Sequence, residues 1–195
     1  MSAEGRLIVL TGPSGVGKDT VLSQLFAIDP ALEYCVSYTT RAPRPGEVEG
    51  VSYFFVDEPT FRAMIDRDEF FEWSTVYGEL KGRTYATVNR AIASGKDTVI
   101  KIDVQGAEKV RSRIGDRGTY IYLLPPSVEA LEQRLIERAT EDPASLRARQ
   151  ERAIAELALK DRYDHQVVND DPERAAREVE AIIQAARVAA GGASA

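Results

Sequence analysis

The run Arg6-Leu-Ile-Val-Leu-Thr11 passes directly into Gly12-Pro-Ser-Gly-Val-Gly-Lys-Asp-Thr20, after which Val21, Leu22, Leu25 and Phe26 recur at helical spacing. An aliphatic strand, a glycine-rich bend and a helix, in that order, commit a chain to the opening unit of an α/β fold. Glycines at 12, 15 and 17 let the backbone turn so that successive N–H groups point inward, and a helix starting near Lys18 adds the positive end of its dipole. Lys18 supplies a mobile charge. Charge-assisted hydrogen bonds contribute roughly 1.5–3 kcal/mol each, so several amides and one ammonium hold a triphosphate against water. Gly12, Pro13, Ser14, Gly15, Val16, Gly17, Lys18, Asp19 and Thr20 are therefore expected to cradle the phosphates of a nucleotide.

The spacing Gly12, Gly17, Lys18 fits G-x-x-x-x-G-K, but the Ser or Thr that usually follows the lysine is Asp19, with Thr20 one place later. Thr20 is the candidate hydroxyl for a Mg²⁺ ion. A second Gly-Lys-Asp-Thr at Gly95 to Thr98 has Arg90 where the first glycine should stand and runs from helix into strand, so it is expected to be a turn.

A chain of 195 residues, 44% hydrophobic and 29% charged, suits one compact unit with small inserted lobes. A net charge of −6 argues against nonspecific binding to nucleic acid or an anionic membrane, so local basic clusters are expected to serve a small anionic ligand. Cys35 is the single cysteine and His165 the single histidine, which excludes an internal disulfide and a multi-histidine metal site. No apolar stretch approaches the roughly 20 residues of a membrane span, and no signal-peptide core precedes the first strand, so a cytoplasmic location is expected.

Thr98-Val-Ile-Lys-Ile-Asp-Val104, Thr119-Tyr-Ile-Tyr-Leu-Leu124 and Gln166-Val-Val168 read as buried parallel strands separated by helical segments. Asp171-Pro172 launches a terminal helix through about Val188, and the small residues that close the chain read as a tail, 191–195. Residues 34–90 differ in composition, with Tyr, Thr, Phe, Pro and Gly and a short helix from Pro59 to Asp66; they read as an inserted lobe with its own strands. Residues 127–161 read as a helical hairpin, Ser127 capping its first helix and Asp142-Pro143 interrupting it, rich enough in arginine to serve as a lid. The core is then 1–33, 91–126 and 162–190.

Three further clusters carry charge where chemistry needs it. Arg41 and Arg44 lie on proline-stiffened chain with Tyr53 following a glycine-containing turn, and two guanidiniums with a phenol can wrap one phosphate. Glu72, flanked by Phe70, Phe71 and Trp73, needs donors to justify burial, which guanine's N1–H and N2–H₂ would supply. Asp103 ends a strand at the edge where open α/β sheets place ligands. Taken singly, the arginines also fit a solvated basic loop, and either acid fits a surface or capping role.

Together these residues resemble the guanylate kinase family from Leu7 to about Ile183, most specifically in Val36-Ser-Tyr-Thr-Thr-Arg-Ala-Pro-Arg-Pro-Gly-Glu47, Ile102-Asp-Val-Gln-Gly106, Leu124-Pro-Pro-Ser127 and Val168-Asn-Asp-Asp171. The resemblance implies an α/β P-loop kinase with a central parallel sheet flanked by helices, an inserted GMP-binding lobe and a helical lid, converting ATP and GMP into ADP and GDP with Mg²⁺. It implies that Ser37, Glu72 and Asp103 meet guanine or its surroundings, and that Arg41, Arg44 and Tyr53 grip the GMP phosphate. Lys18, Arg134, Arg138 and Arg149 match the cradle lysine and lid arginines, and Asn169 lies in the segment near adenine. Lys81-Gly82-Arg83-Thr84 stands where the family has Tyr-Gly-Ser or Tyr-Gly-Thr, leaving Lys81 for phosphate and Arg83 or Thr84 for guanine O6. Lys101 replaces the acid common two residues before Asp103.

Three rival readings share parts of this pattern. Asp103-Val-Gln-Gly106 also fits the D-x-x-G of a regulatory GTPase, but no Asn-Lys-x-Asp or Thr-Lys-x-Asp reads guanine. A non-catalytic interaction module would have no need of the cradle lysine and lid arginines kept here. A kinase for another nucleoside monophosphate would differ in acceptor preference.

Overall fold

The computed structural model describes residues 5–76, 78–137 and 143–191. Strand β1 (Leu7–Thr11) is buried along its whole length and feeds, through the glycine loop, helix α1 (Lys18–Ile28). There follow β2 (Glu33–Tyr34), β3 (Tyr38–Thr39), β4 (Phe54–Phe55), α2 (Glu58–Asp66), β5 (Phe70–Val76), β6 (Glu79–Thr84) and α3 (Tyr85–Ala93). The chain continues as β7 (Thr98–Lys101), α4 (Val104–Ile114), β8 (Gly118–Leu124), α5 (Val128–Glu137), α6 (Pro143–Leu157), β9 (His165–Val168) and α7 (Pro172–Gly191). A five-stranded sheet has the order β2-β7-β1-β8-β9, with β2 parallel to β7 and β8 parallel to β9. A second sheet, β4-β3-β6-β5, is mixed: β3 runs parallel to β4 and antiparallel to β6.

By internal contacts the chain forms two compact units, one holding residues 32–100 and 105–118 with the first few residues, the other 8–31, 101–104 and 119 onward. In the first, Phe61, Met64, Phe70 and Leu80 form a core between α2 and the mixed sheet, with the Phe61 and Phe70 rings stacked at 4.2 Å. Asp57 accepts from the Thr60 N–H at 2.8 Å and fixes where α2 begins. Helix α4 is tied to β5 by Lys109, which lies over the Trp73 ring and donates to the Trp73 carbonyl.

In the second unit, α1 packs along α7, and Arg187 pairs with Asp29 at the end of α1 at 2.9 Å. Ala175, Ala176, Val179 and Ile183 give α7 a buried face at helical spacing. Asp171 accepts from the Arg174 N–H at 2.8 Å, so Asp171-Pro172 starts α7 as its chemistry dictates. Ser127 does the same for α5, accepting from Ala130 at 3.1 Å.

Some boundaries differ from expectation. The strand expected to run to Val104 ends at Lys101, leaving Asp103 in the short break before α4. Ile102 still donates to the Leu10 carbonyl at 3.1 Å, but α4 captures Val104. Helix α7 outruns Val188 because Ala189 and Ala190 favour continuation. Residues 192–195 of the expected tail, and 138–142 in the expected hairpin, lie outside the described residues. The chain turns at Gly95, φ 73°, and Thr98 already opens β7.

Phe61 is fully buried. Phe61→Ala is expected to lower the unfolding free energy by about 3–5 kcal/mol in urea titrations, because it leaves a ring-sized cavity under β5.

Candidate active site

The bend between β1 and α1 places Gly12 at φ 144° and Gly17 at φ 99°, conformations that side chains resist. A Cβ on Gly12 would stand 2.5 Å from the Leu123 carbonyl oxygen, so the loop closes against β8 with no room for one. Val16 is buried, and its carbonyl accepts from Asn169 Nδ2 at 2.7 Å and Arg134 Nη1 at 3.2 Å. Arg134 also donates to the Asn169 carbonyl at 3.2 Å. The loop is thus held from behind by α5 and the segment after β9. Arg134, expected to meet a moving phosphoryl group, here grips two main-chain carbonyls.

Gly15, Gly17, Thr20, Arg134 and Asn169 line a cleft of about 220 Å³ beside the start of α1. Asn169 Oδ1 is buried without a hydrogen-bond partner, an acceptor suited to an N–H of a bound molecule. Thr20, exposed in the first turn of α1, brings its hydroxyl to the same cleft.

Lys18 Nζ donates to the carbonyls of Gly12 at 2.6 Å and Pro13 at 3.0 Å, folding the ammonium over its own loop. Burial pulls its pKa from 10.5 to about 8; Glu156, Asp19 and Asp103 oppose that fall, while Lys101 adds to it. Asp103 therefore belongs electrostatically with Lys18. Lys101 Nζ, at the end of β7, donates to Asp19 Oδ1 at 2.5 Å. Glu156 was not among the residues expected from sequence. Its Oε2 accepts from the Ser14 N–H at 3.3 Å, and its Oε1 is held by Arg152 Nε at 2.9 Å. The signal for it was an acid four residues after an arginine on one helix, hidden among the other charges of α6.

In the first unit, Arg41 is buried and makes a two-pronged bond to Glu47, at 2.9 and 2.6 Å, with a further bond to the Ala42 carbonyl at 2.7 Å. The hydrogen bonding that Arg41 donates to Glu47 pushes the Arg41 pKa up and pulls the Glu47 carboxyl down. The guanidinium carbon lies 5.2 Å from the Tyr53 ring centre, and Nε is buried without an acceptor. Arg44 is exposed; its N–H donates to Glu47 at 2.7 Å. Glu47 is the organiser that sequence reasoning left unassigned.

Glu72 and Arg83 form a second buried pair in this unit, 3% and 2% exposed, with Nη1 to Oε1 at 2.9 Å. Arg83 Nε donates to the Cys35 carbonyl at 3.0 Å. The donor that justifies burial of Glu72 is thus supplied by the chain itself. Ser37 is buried nearby in sequence, its carbonyl accepting from Phe54. Thr84 caps α3 through the Thr87 N–H at 3.2 Å, so its hydroxyl is occupied by the fold. Lys81 is half-buried, 3.5 Å from Glu79. Arg149 is half-buried on α6, and Arg138 lies outside the described residues.

Residues 4–186 match the family model described as guanylate kinase. The chain is 44% identical over 182 residues to a guanylate kinase of Halalkalibacterium halodurans, covering 93% of this chain and 89% of that one. It is 44% identical over 186 residues to one from Streptococcus agalactiae, covering 95% and 88%. Among solved structures, the guanylate kinase of Anaplasma phagocytophilum matches with a TM-score of 0.77 at 31% identity, over 94% of this chain and 86% of that one.

The lowered pKa of Lys18 has a signed consequence. Between about 8 and 10.5 the unfolded chain binds a proton that the folded chain does not, so stability rises with pH across that window. Urea unfolding of the wild type and Lys18→Met is expected to show the wild type gaining on the variant from pH 8 to 10, with a constant difference below pH 7.

Proposed function

This chain belongs to the guanylate kinase family, and from that premise we propose that it transfers the γ-phosphoryl group of ATP to GMP, giving ADP and GDP. The observation that carries the assignment is the loop from Gly12 to Thr20, open at the start of α1, with Lys18 folded over it and Asn169 and Arg134 bracing it from behind. In this reading residues 34–90 serve GMP, 127–161 form the lid, and the remaining parallel-sheet elements form the core. A cytoplasmic location belongs to the same reading; no described helix is long and apolar enough to cross a membrane.

Phosphoryl transfer asks the protein for positioning and charge more than for covalent chemistry. Lys18 leaves the Gly12 and Pro13 carbonyls for the β- and γ-phosphates, a short swing because both acceptors sit in the cradle. The loop amides and the α1 dipole take the remaining oxygens. Arg134, Arg138 and Arg149 stabilise charge on the moving group, and Arg134 does so on leaving the Val16 carbonyl. Asn169 meets the adenine side through its unpaired Oδ1. Arg41, aligned by Glu47 and by the Tyr53 ring, offers its buried Nε–H to the GMP phosphate, with Arg44, Tyr53 and Lys81 completing the grip. Glu72 accepts from guanine N1–H and N2–H₂, while Arg83, already on its carboxylate, donates to guanine O6. Ser37 and Asp103 complete the surroundings of the base.

Mg²⁺ fits the donors present. Thr20 offers a hydroxyl, and Asp19 and Asp103 carboxylates act on Lys18 beside it. Among the described residues no group of three or more Asp, Glu, His or Cys could hold a metal alone, as expected for an ion that arrives on nucleotide phosphates and keeps its waters. Bound there, it would neutralise phosphate charge.

A coupled ADP-release assay with Mg-ATP tests the function, comparing GMP, dGMP, AMP, UMP, CMP and no acceptor. ADP and GDP are expected with GMP, dGMP is expected to substitute, and the other acceptors are expected to stay near background. Lys18→Ala should cut turnover at least about a hundredfold while circular dichroism is unchanged. Glu72→Gln turns one acceptor into a donor facing guanine's donors. It should raise the KM for GMP at least about tenfold and leave that for ATP within about twofold. Equal losses for both substrates would remove Glu72 from base recognition.

A further inference from the structure

Asp19 lies in the first turn of the helix whose N-terminus must hold phosphates, and 73% of its side chain is exposed. A carboxylate suits a helix N-terminus for its own sake, yet it is the wrong sign beside a polyphosphate. At contact distances, repulsion between two like charges near a protein surface corresponds to on the order of a hundredfold or more in affinity. Lys101 answers that problem directly. Its side chain is only 15% exposed, at the end of β7, and its ammonium sits on Asp19 Oδ1 at 2.5 Å. Asp19 puts a carboxylate where the loop pattern has a hydroxyl and Lys101 an ammonium where the family commonly has an acid, and these two departures meet in one bond.

We propose that Lys101 is a second phosphate-binding cation of the ATP site and that Asp19 positions it there, cancelling one unit of its charge. This inference rests on the nucleotide reading of the cradle given above. Lys18 and Lys101 contribute +2 and Asp19 −1, while Glu156 and Asp103, which also face Lys18, stay constant across any change at 19 or 101. The pair has a sign that an ordinary structural ion pair lacks. Removing Lys101 takes one positive charge from beside the phosphates, removing Asp19 takes one negative charge, and removing both restores the original balance.

The test is calorimetric titration of the full chain with ADP and with AMP in EDTA, so that no metal enters the measurement. Lys101→Met is expected to weaken ADP at least tenfold and AMP by less, since the loss should grow with phosphate charge. Asp19→Asn is expected to tighten ADP several-fold, and the double variant to return to within about threefold of wild type. Unchanged ADP affinity in Lys101→Met, or a double variant weaker than Lys101→Met, overturns the proposal. Should Lys101→Met fail to fold, Asp19→Asn decides alone, because its residue is exposed: weaker or unaltered ADP binding overturns the proposal. A wild-type chain that does not bind ADP would bring down the nucleotide reading as well, whereas wild-type binding with the wrong variant pattern sinks only the role of the pair.

Discussion

A phosphate cradle has to keep backbone N–H groups unpaired and pointing one way, a state that a protein interior resists. Here the bend is made rigid by contacts on its other side. The Leu123 carbonyl leaves no space for a side chain at Gly12, and the Val16 carbonyl is held by two donors, Asn169 and Arg134. Two loop amides are already engaged, that of Ser14 by Glu156 and that of Val16 by the Pro13 carbonyl. Elements distant in sequence, α5, α6 and the segment after β9, are thereby enlisted to hold one short loop.

The charges follow from the same requirement. Burying an ammonium costs stability, and the depressed pKa of Lys18 expresses that cost. Each of these cations has an acceptor within the chain: main-chain carbonyls for Lys18 and Arg134, carboxylates for Lys101, Arg41 and Arg83. Arg41 differs from the others in being stacked as well as paired, which fixes the plane of its guanidinium before anything binds.

What the sequence made legible were features whose physics is local. The strand, loop and helix from Leu7 to Ile28 follow from glycine placement and aliphatic runs, and Ser127 and Asp171 announce helix starts because a cap is a short-range bond. Long-range pairings were less visible. Glu156 meets Ser14 across 142 residues, and nothing near either one marks the other. Glu47 was quoted within a motif yet its grip on Arg41 could not be read, because a carboxylate six residues away fits a turn in many ways. The strand ending at Lys101 instead of Val104 shows the same limit: the residues suited a strand, but the demands of α4 won.

The Glu72–Arg83 pair has a consequence for descent. Arg83 uses two different nitrogens on two partners, Nη1 on Glu72 and Nε on the Cys35 carbonyl. Lysine at this position would have one nitrogen for both, and a short hydroxyl side chain would reach neither. Replacing the arginine therefore breaks a buried pair, at a cost of about 3–5 kcal/mol. Such a loss is a large share of the roughly 5–15 kcal/mol that holds a domain folded, so the two positions constrain one another and tolerate change better together than singly.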